Sequence, residues 1–450
     1  MTFFIKIVRS AWANEVLTGS ASALAIKFTA SVLGFVMFAL ASRHMDPAAF
    51  GTLAMIFNAM SFLAVVALCG QETLIVRSWD EYCGTHRPQL ARGVLTFGAQ
   101  VATVVPLTVA VVAGLGWLAW DRTASIPLVI AACSFLVAQA VIHFSWQFSR
   151  VAVGLVIGEV PREVMWRLIV VAVIAAGLVA QIGLSAVEFF AIAAGAILVA
   201  IAFQVWRVAR ALPAAVVEAT PQRDIAAWIP RSFKMWLSAL MDITGQYLEV
   251  VVIGLVLGPT SAGFYFVVTR ITNVFAMISG GITTYATTQI SGLFHADAKA
   301  ELQHILRSLA VISTIVVAAA FTVILLAGKL LLLLFGAAYV PAYPALIVMA
   351  AAAAVAALAG PASALLLMTG NEGRYPRIVG CGIVLRFALI AILGPLLGLM
   401  GAAIAWSVSA LAIALALVIA SRRLVGVDPS LTSAFVRGSR PAVPVTGGAP

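Results

Sequence analysis

Six charged residues stand where charge is expensive. Lys27, Arg270 and Arg386 fall inside long apolar runs, Asp242 and Glu249 share another, and Glu72 stands near the end of one more. A Lys at the centre of a membrane helix costs roughly 2.5–3.5 kcal/mol on insertion scales. Lys27 lies about nine residues into its run, which at about 1.5 Å per residue is near mid-depth. An Arg fork is planar, always charged and suited to phosphate. Lys27, Arg270 and Arg386 therefore make a candidate positive cavity able to hold an anionic headgroup. The other reading is that each is satisfied by backbone carbonyls or by a neighbouring acid. Asp242 and Glu249 are seven residues apart, close to two helical turns, so they point broadly one way. With Glu72 they are the candidates for gating or for coupling to H+ or Na+. An apolar surround raises an acid's pKa and a nearby cation lowers it. A structural lock between acids and cations is the open alternative.

The elements that must carry these residues are membrane helices. Hydrophobic residues make up 63% of the 450 and charged residues 10%, and the mean hydropathy is +1.10. A water-soluble chain of this length needs a far more polar exterior. The apolar runs are continuous, where a barrel strand would alternate every second residue. They predict twelve spans, near 18–42, 50–76, 92–118, 126–148, 164–183, 185–206, 232–257, 261–290, 305–327, 342–369, 376–394 and 397–420. The fold class is therefore all-α and polytopic.

The surplus of basic residues sets the orientation. Of the 27 Lys and Arg, all but six fall in the N-terminal tail, alternate connections and C-terminal tail. The opposite side holds Arg43, Arg122 and Lys329, and the remaining three are the intramembrane cations. With an even number of spans this bias places both termini in the cytoplasm. It also explains the net charge of +10 without nucleic acid, for which there is no base-reading module.

The longest hydrophilic connection is 207–231, with Pro213, Pro221 and Pro230. It reads as a linker between two six-helix halves. The expected organisation is an N-terminal lobe at 1–210, a cytoplasmic linker at 211–231, a C-terminal lobe at 232–424 and a disordered Pro- and Gly-rich tail at 425–450. An internal echo supports it. At an offset of 212, Pro47 matches Pro259, Gly51 matches Gly263 and Asn58 falls opposite Arg270. Six spans per half favour a parallel repeat.

Other motifs carry little chemistry. "EVPREVMWR" at 159–167 reads as an interfacial helix with a Pro-marked start. Most tryptophans fall near interfaces, where headgroup anchoring explains them. Cys69, Cys83, Cys133 and Cys381 form no metal or redox unit. His143 is the best buried of five dispersed histidines and reads as a satisfied membrane histidine. No P-loop or catalytic cluster emerges, so neither an enzyme nor a resident cofactor is expected.

The stretches "LASRHMDPAAFGTLAMIFNAMSFLAVVALCGQETLIVR" at 40–77, "VVIGLVLGPTSAGFYFVVTRI" at 251–271 and "LLLLFGAAYVPAYPALIVMAAAAAVAALAGPASALLLMTG" at 331–370 are together distinctive. With the Phe50-Gly51 step opening the second span, and Phe335, Gly336, Tyr339 and Ala342 before the tenth, the chain resembles the polysaccharide transporter family. These are lipid-linked oligosaccharide flippases of the multidrug/oligosaccharidyl-lipid/polysaccharide exporter superfamily. The resemblance spans about residues 10–420.

It implies a V-shaped pair of six-helix bundles with alternating access. The implied cargo is an undecaprenyl-pyrophosphate-linked oligosaccharide repeat, moved from the cytoplasmic to the periplasmic leaflet for O-antigen, capsule or exopolysaccharide synthesis. It also implies a multi-pass protein of the bacterial inner membrane, a functional monomer among membrane lipids, working beside polysaccharide polymerase machinery. Lys27, Arg270 and Arg386 would then face the pyrophosphate. Twelve spans rather than fourteen argue against the lipid II flippase branch. Two other functions stay open: a proton- or sodium-coupled multidrug exporter, and a non-transporting scaffold for polysaccharide assembly. A basic cavity favours a polyanionic lipid, and an acidic one favours organic cations.

Overall fold

The structure, a computed structural model, describes residues 2–295, 299–369 and 373–431, without the side chains of 2–21, 238, 242, 284, 285, 288, 289, 291–295, 299 and 300. The described residues form helices and no strand. The first five helices are α1 (Thr2–Arg43), α2 (Pro47–Ala67), α3 (Gln71–Gly84), α4 (Pro88–Trp120) and α5 (Ile126–Ala152). Next come α6 (Leu155–Val160), a π turn at Pro161–Met165, α7 (Trp166–Val179), α8 (Ala186–Ala211) and the short α9 (Ala214–Glu218). Then follow α10 (Ile225–Ile243), a second π turn at Thr244–Leu248, α11 (Glu249–Leu257), α12 (Pro259–His295) and α13 (Lys299–Leu333). A 3-10 turn at Ala337–Ala342 leads into α14 (Tyr343–Ala357), α15 (Ala362–Met368), α16 (Arg374–Leu397) and α17 (Leu399–Leu424).

Eleven segments among the described residues are long and apolar enough to cross a membrane. The expected fifth span is the exception, because Glu159, Arg162, Glu163 and Arg167 all fall within it. It starts near Leu155 rather than 164, and Pro161 sits within it instead of opening it. Pro161 has no N–H to give, so the ladder widens into a π turn, and the helix continues through it to Val179. The second span also ends early. It stops at Ala67, where Cys69 and Gly70 adopt φ of 49° and 76°, and a separate helix, α3, follows. Glu72 thus lies beyond the span, not inside its end.

Helix starts follow local chemistry. Asp46 Oδ1 accepts the Ala49 N–H at 2.7 Å, with Pro47 at the first helical position of α2. Ser185 and Glu188 form a capping box at the start of α8.

Packing divides the chain into two units. The first comprises 1–267 with 333–340, and the second 268–332 with 341 onward. In the first unit Phe38 is the hub, edge-on to Phe57 at 5.0 Å and to Phe266 at 4.7 Å. Phe135 continues the stack between Phe57 and Phe190. The seventh crossing, α10 to α11, is fastened to this unit. Trp228 Nε1 donates to Tyr82 Oη at 2.9 Å, Trp236 Nε1 donates to the Val66 carbonyl at 2.9 Å, and Arg231 pairs with Glu81 at 3.1 Å. In the second unit α17 packs against α14, α15 and α16. Residues 425–431, expected to be part of the tail, are pinned there. Asp428 exchanges two hydrogen bonds with the Gln303 side chain, at 2.9 and 3.0 Å. Residues 432–450 lie outside the described residues.

The matched positions of the internal echo meet each other inside the first unit. A Cβ on Gly51 would fall 1.8 Å from the Pro259 carbonyl oxygen, and one on Gly263 would fall 3.1 Å from the Pro47 carbonyl oxygen. This reciprocity is what a local two-fold axis between the α1–α2 and α11–α12 turns produces. Two backbones touch here, which only glycine permits.

That contact yields a prediction. Gly51→Val should lower thermal stability in detergent by the equivalent of about 1–3 kcal/mol through overpacking. Gly116→Val, at a site where a Cβ meets nothing within 4 Å, should not. Equal melting temperatures for both variants would contradict the close contact.

Candidate functional site

The π turn at Pro161 leaves carbonyl groups without their usual α-helical partners, and side chains bond to them. Gln204 on α8 donates through Nε2 to the Gly158 carbonyl at 2.9 Å, and its Oε1 accepts from Ser145 at 2.8 Å. Trp166 Nε1 donates to the Arg162 carbonyl at 2.6 Å. Arg167 donates to the Glu163 carbonyl.

The same segment gathers charge. Glu163 accepts from Arg162 on one carboxylate oxygen and from Arg167 at 2.9 Å on the other. The Arg162 guanidinium lies over the Trp146 ring, 4.0 Å from its centroid, and its Nη2 is 3.4 Å from His143 Nε2. Arg167 lies over the Trp166 ring at 5.0 Å and borders Gly34 of α1. Arg150 and Glu159 approach to 3.9 Å beside them. At about 1.5 Å per residue, Arg162 stands roughly 10 Å from the start of this helix at Leu155. Two guanidinium groups share one carboxylate, so the cluster keeps one surplus positive charge when His143 is neutral. Arg162, Glu163 and Arg167 keep 21, 16 and 23% of their side-chain surface exposed. A partly exposed cation at this depth is stable only beside water or an anion. Arg offers more N–H donors than these contacts use, so the arrangement suits a phosphate or carboxylate.

The residues expected from sequence are placed as follows. Lys27 is exposed on α1, and Arg270 is half-buried on α12. Arg386 on α16 is buried, donates through Nε to Ser409 Oγ at 2.6 Å and lies over the Trp406 ring at 5.6 Å. Lys27 belongs to the first packing unit, whereas Arg270 and Arg386 belong to the second. Glu249 follows the second π turn, is 4% exposed, and accepts from Tyr265 Oη at 2.8 Å. The side chain of Asp242 lies outside the described residues. Glu72 is 6% exposed and pairs with no cation among the described residues. Burial pushes its carboxyl up to about 7, against its own backbone N–H, which pulls it down.

Sequence reasoning missed Arg162, Glu163, Arg167 and their partner His143 as a site. Starting the fifth span at 164 placed the arginines in a cytoplasmic connection. The apolar run "VAVGLVIG" just before them was the available signal, since it begins the crossing earlier.

The cluster makes a direct prediction. Glu163→Gln removes the shared carboxylate and leaves two guanidinium groups half-buried and unpaired. It should cost roughly 3 kcal/mol in thermal unfolding. Adding Arg167→Gln should recover part of that loss, because the stranded charge goes with it. Unchanged stability of the single variant would contradict the pairing.

A profile of the family described as polysaccharide biosynthesis protein matches residues 16–290. Among solved structures, the chain is similar to a multidrug resistance MATE family transporter of the MOP superfamily in an inward-facing conformation. The identity is 14%, the match covers 91% of this chain and 96% of that one, and the TM-score is 0.72. It is similar to the lipid II flippase MurJ in an inward closed conformation, with 12% identity, 88% and 86% covered, and a TM-score of 0.64. A MOP superfamily transporter from Pyrococcus furiosus, described by the reverse polarity of its binding pocket, matches at 15% identity, 91% and 95% covered, and 0.62. No curated protein matches the sequence. The all-helical fold, the apolar crossings and the profile together establish a multi-pass membrane protein with the fold of MOP superfamily transporters, and the chain belongs to the polysaccharide biosynthesis protein family.

Proposed function

We propose that this protein is a flippase that carries a polyprenyl-pyrophosphate-linked oligosaccharide repeat from the cytoplasmic to the periplasmic leaflet of a bacterial inner membrane. The observation that carries the reading is the surplus positive charge of Arg162 and Arg167 around Glu163, inside the fifth crossing. Taking a pyrophosphate and a sugar chain through hydrocarbon is prohibitive without a polar path. Guanidinium groups with unused donors offer such a path an anion-matching wall. Lys27 in the first unit and, separately, Arg270 and Arg386 in the second are further candidate contacts for the pyrophosphate, with the isoprenoid tail left in lipid. Binding must weaken after the switch in access, and a carboxylate already shared by both guanidinium groups competes with the phosphate for their donors. The family assignment and the likeness to a protein described as a lipid II flippase support the same class of cargo.

A multidrug exporter of organic cations is the competing reading, and the cluster weighs against it. Its net charge repels such a cargo. On the flippase reading the protein transports without enzymatic chemistry or a resident cofactor. It acts as a monomer and delivers to polysaccharide polymerase machinery, and H+ and Na+ are its candidate coupling ions.

The test is flipping of a defined polyprenyl-pyrophosphate oligosaccharide in proteoliposomes, with and without ion gradients. Replacing a charge-assisted contact to the headgroup removes about 1.5–3 kcal/mol. Arg162→Gln, Lys27→Ala, Arg270→Ala and Arg386→Ala should therefore each slow flipping by about tenfold or more. Wild-type rates in all four folded variants, or preferential transport of organic cations, would overturn the proposal.

A further inference from the structure

The end of the first crossing away from the N-terminus borders a hollow of about 420 Å³. Its lining residues all belong to the first packing unit, because 333–340 packs there although it follows α13. The α1–α2 turn contributes Arg43 and Pro47, and the chain after α13 contributes Leu333, Phe335, Gly336 and Tyr339. Two hydrogen bonds clamp these segments together. Ser42 Oγ donates to the Phe335 carbonyl at 2.8 Å, and Arg43 Nε donates to the Leu334 carbonyl at 3.0 Å. Gly336 turns the chain at a φ of 132°, where a side chain would be strained. The Tyr339 ring is fixed edge-on to Phe50 at 5.9 Å and to Phe264 at 5.3 Å.

The side-chain donors left free in this wall suit an acceptor. Arg43 is exposed, and its Nη1 and Nη2 have no partner among the described residues. Tyr339 is 2% exposed, and its hydroxyl has no partner among them either. The Ser42 hydroxyl and the Leu334 and Phe335 carbonyls are already engaged. Asp46, the acid nearest in sequence, is not part of the wall, and its Oδ1 caps α2. Capping the Leu334 carbonyl accounts for Arg43 Nε alone. It leaves a guanidinium anchored at one nitrogen and open at two, the fork that matches two oxygens of one anion. Buried hydroxyls are nearly always satisfied, and a phenol can give its proton to an anion.

We propose that this hollow binds the phosphate of an anionic phospholipid through Nη1 and Nη2 of Arg43. The Tyr339 hydroxyl is the second free donor of the same wall. A lipid fits better than a soluble anion because apolar surface adjoins the fork. Leu333, in the wall, and Leu334, which holds Arg43 Nε, are 45 and 41% exposed where α13 ends. At the end of a membrane helix, acyl chains and headgroups meet. A single guanidinium in the wall favours a lipid of net negative charge over a zwitterionic one. The lipid would sit where the α1–α2 turn is clamped to 333–340, and so would reinforce that clamp. The site stands whichever cargo is carried.

The test is native mass spectrometry of the full-length protein in detergent, titrated with phosphatidylglycerol and with phosphatidylcholine. Phosphatidylglycerol should bind the more tightly, and Arg43→Gln should weaken it by about tenfold or more, as the loss of a charge-assisted contact does. Ala338→Trp adds bulk to the wall of the hollow and keeps Arg43, so it should also weaken binding and decides the matter if Arg43→Gln folds poorly. Arg122→Gln removes an exposed cation outside the hollow and should change nothing. Inorganic phosphate and glucuronate should fail to displace the lipid. Wild-type affinity in the folded Arg43→Gln or Ala338→Trp protein, an equal loss in Arg122→Gln, or displacement by either soluble anion would overturn the lipid site. None of these outcomes bears on which lipid is flipped.

Discussion

A carboxylate held between two guanidinium groups inside an apolar crossing is the interaction on which the rest depends. Glu163 takes a donor from Arg162 on one oxygen and from Arg167 on the other. Arg167, with Trp166 and Gln204, also bonds to the backbone carbonyls around the π turn at Pro161. Backbone and charge problems are thus solved by one set of side chains. Lipid tolerates irregular backbone only where protein or water satisfies it, so the break and the charges must occur together. What remains after pairing is a positive charge with spare donors, held rigidly by stacking on Trp146.

A second constraint is the reciprocal contact of Gly51 and Gly263 with the turns at Pro259 and Pro47. It joins the first two crossings to the seventh and eighth through backbone contact. Together with the Trp228, Trp236 and Arg231 contacts, it ties the seventh crossing to the first packing unit at both of its ends. Chain order alone would assign that crossing to the second half. Contact rather than sequence position decides where it packs.

Most of the fold was legible because hydrocarbon imposes one rule on every crossing. Continuous apolar runs mark the spans, and turn residues such as Asp46-Pro47 and Gly258-Pro259 mark their ends. The fifth crossing was misplaced because its charges imitate an interfacial segment. Sequence shows that Arg162 and Glu163 are adjacent, but not that His143, Trp146 and Gln204 from α5 and α8 surround them. The expected second span runs too long because Leu74, Ile75 and Val76 of the largely polar α3 prolong the apolar run across a left-handed break at Cys69 and Gly70. Glu72 was legible as a candidate, whereas its burial on a helix beyond the second span comes from three-dimensional packing. Arg386 could be identified as an intramembrane cation, but not as one resting on Ser409 and Trp406.

The central claim is that cations at bilayer depth border water rather than lipid. Thiol modification measures it most directly. In a background lacking Cys69, Cys83, Cys133 and Cys381, Lys27→Cys and Phe28→Cys place a thiol at neighbouring exposed positions of α1. A membrane-impermeant charged reagent should modify the Lys27→Cys protein readily and the Phe28→Cys protein slowly, since only the first faces an aqueous path. Equal protection of both would place Lys27 in lipid and contradict the account.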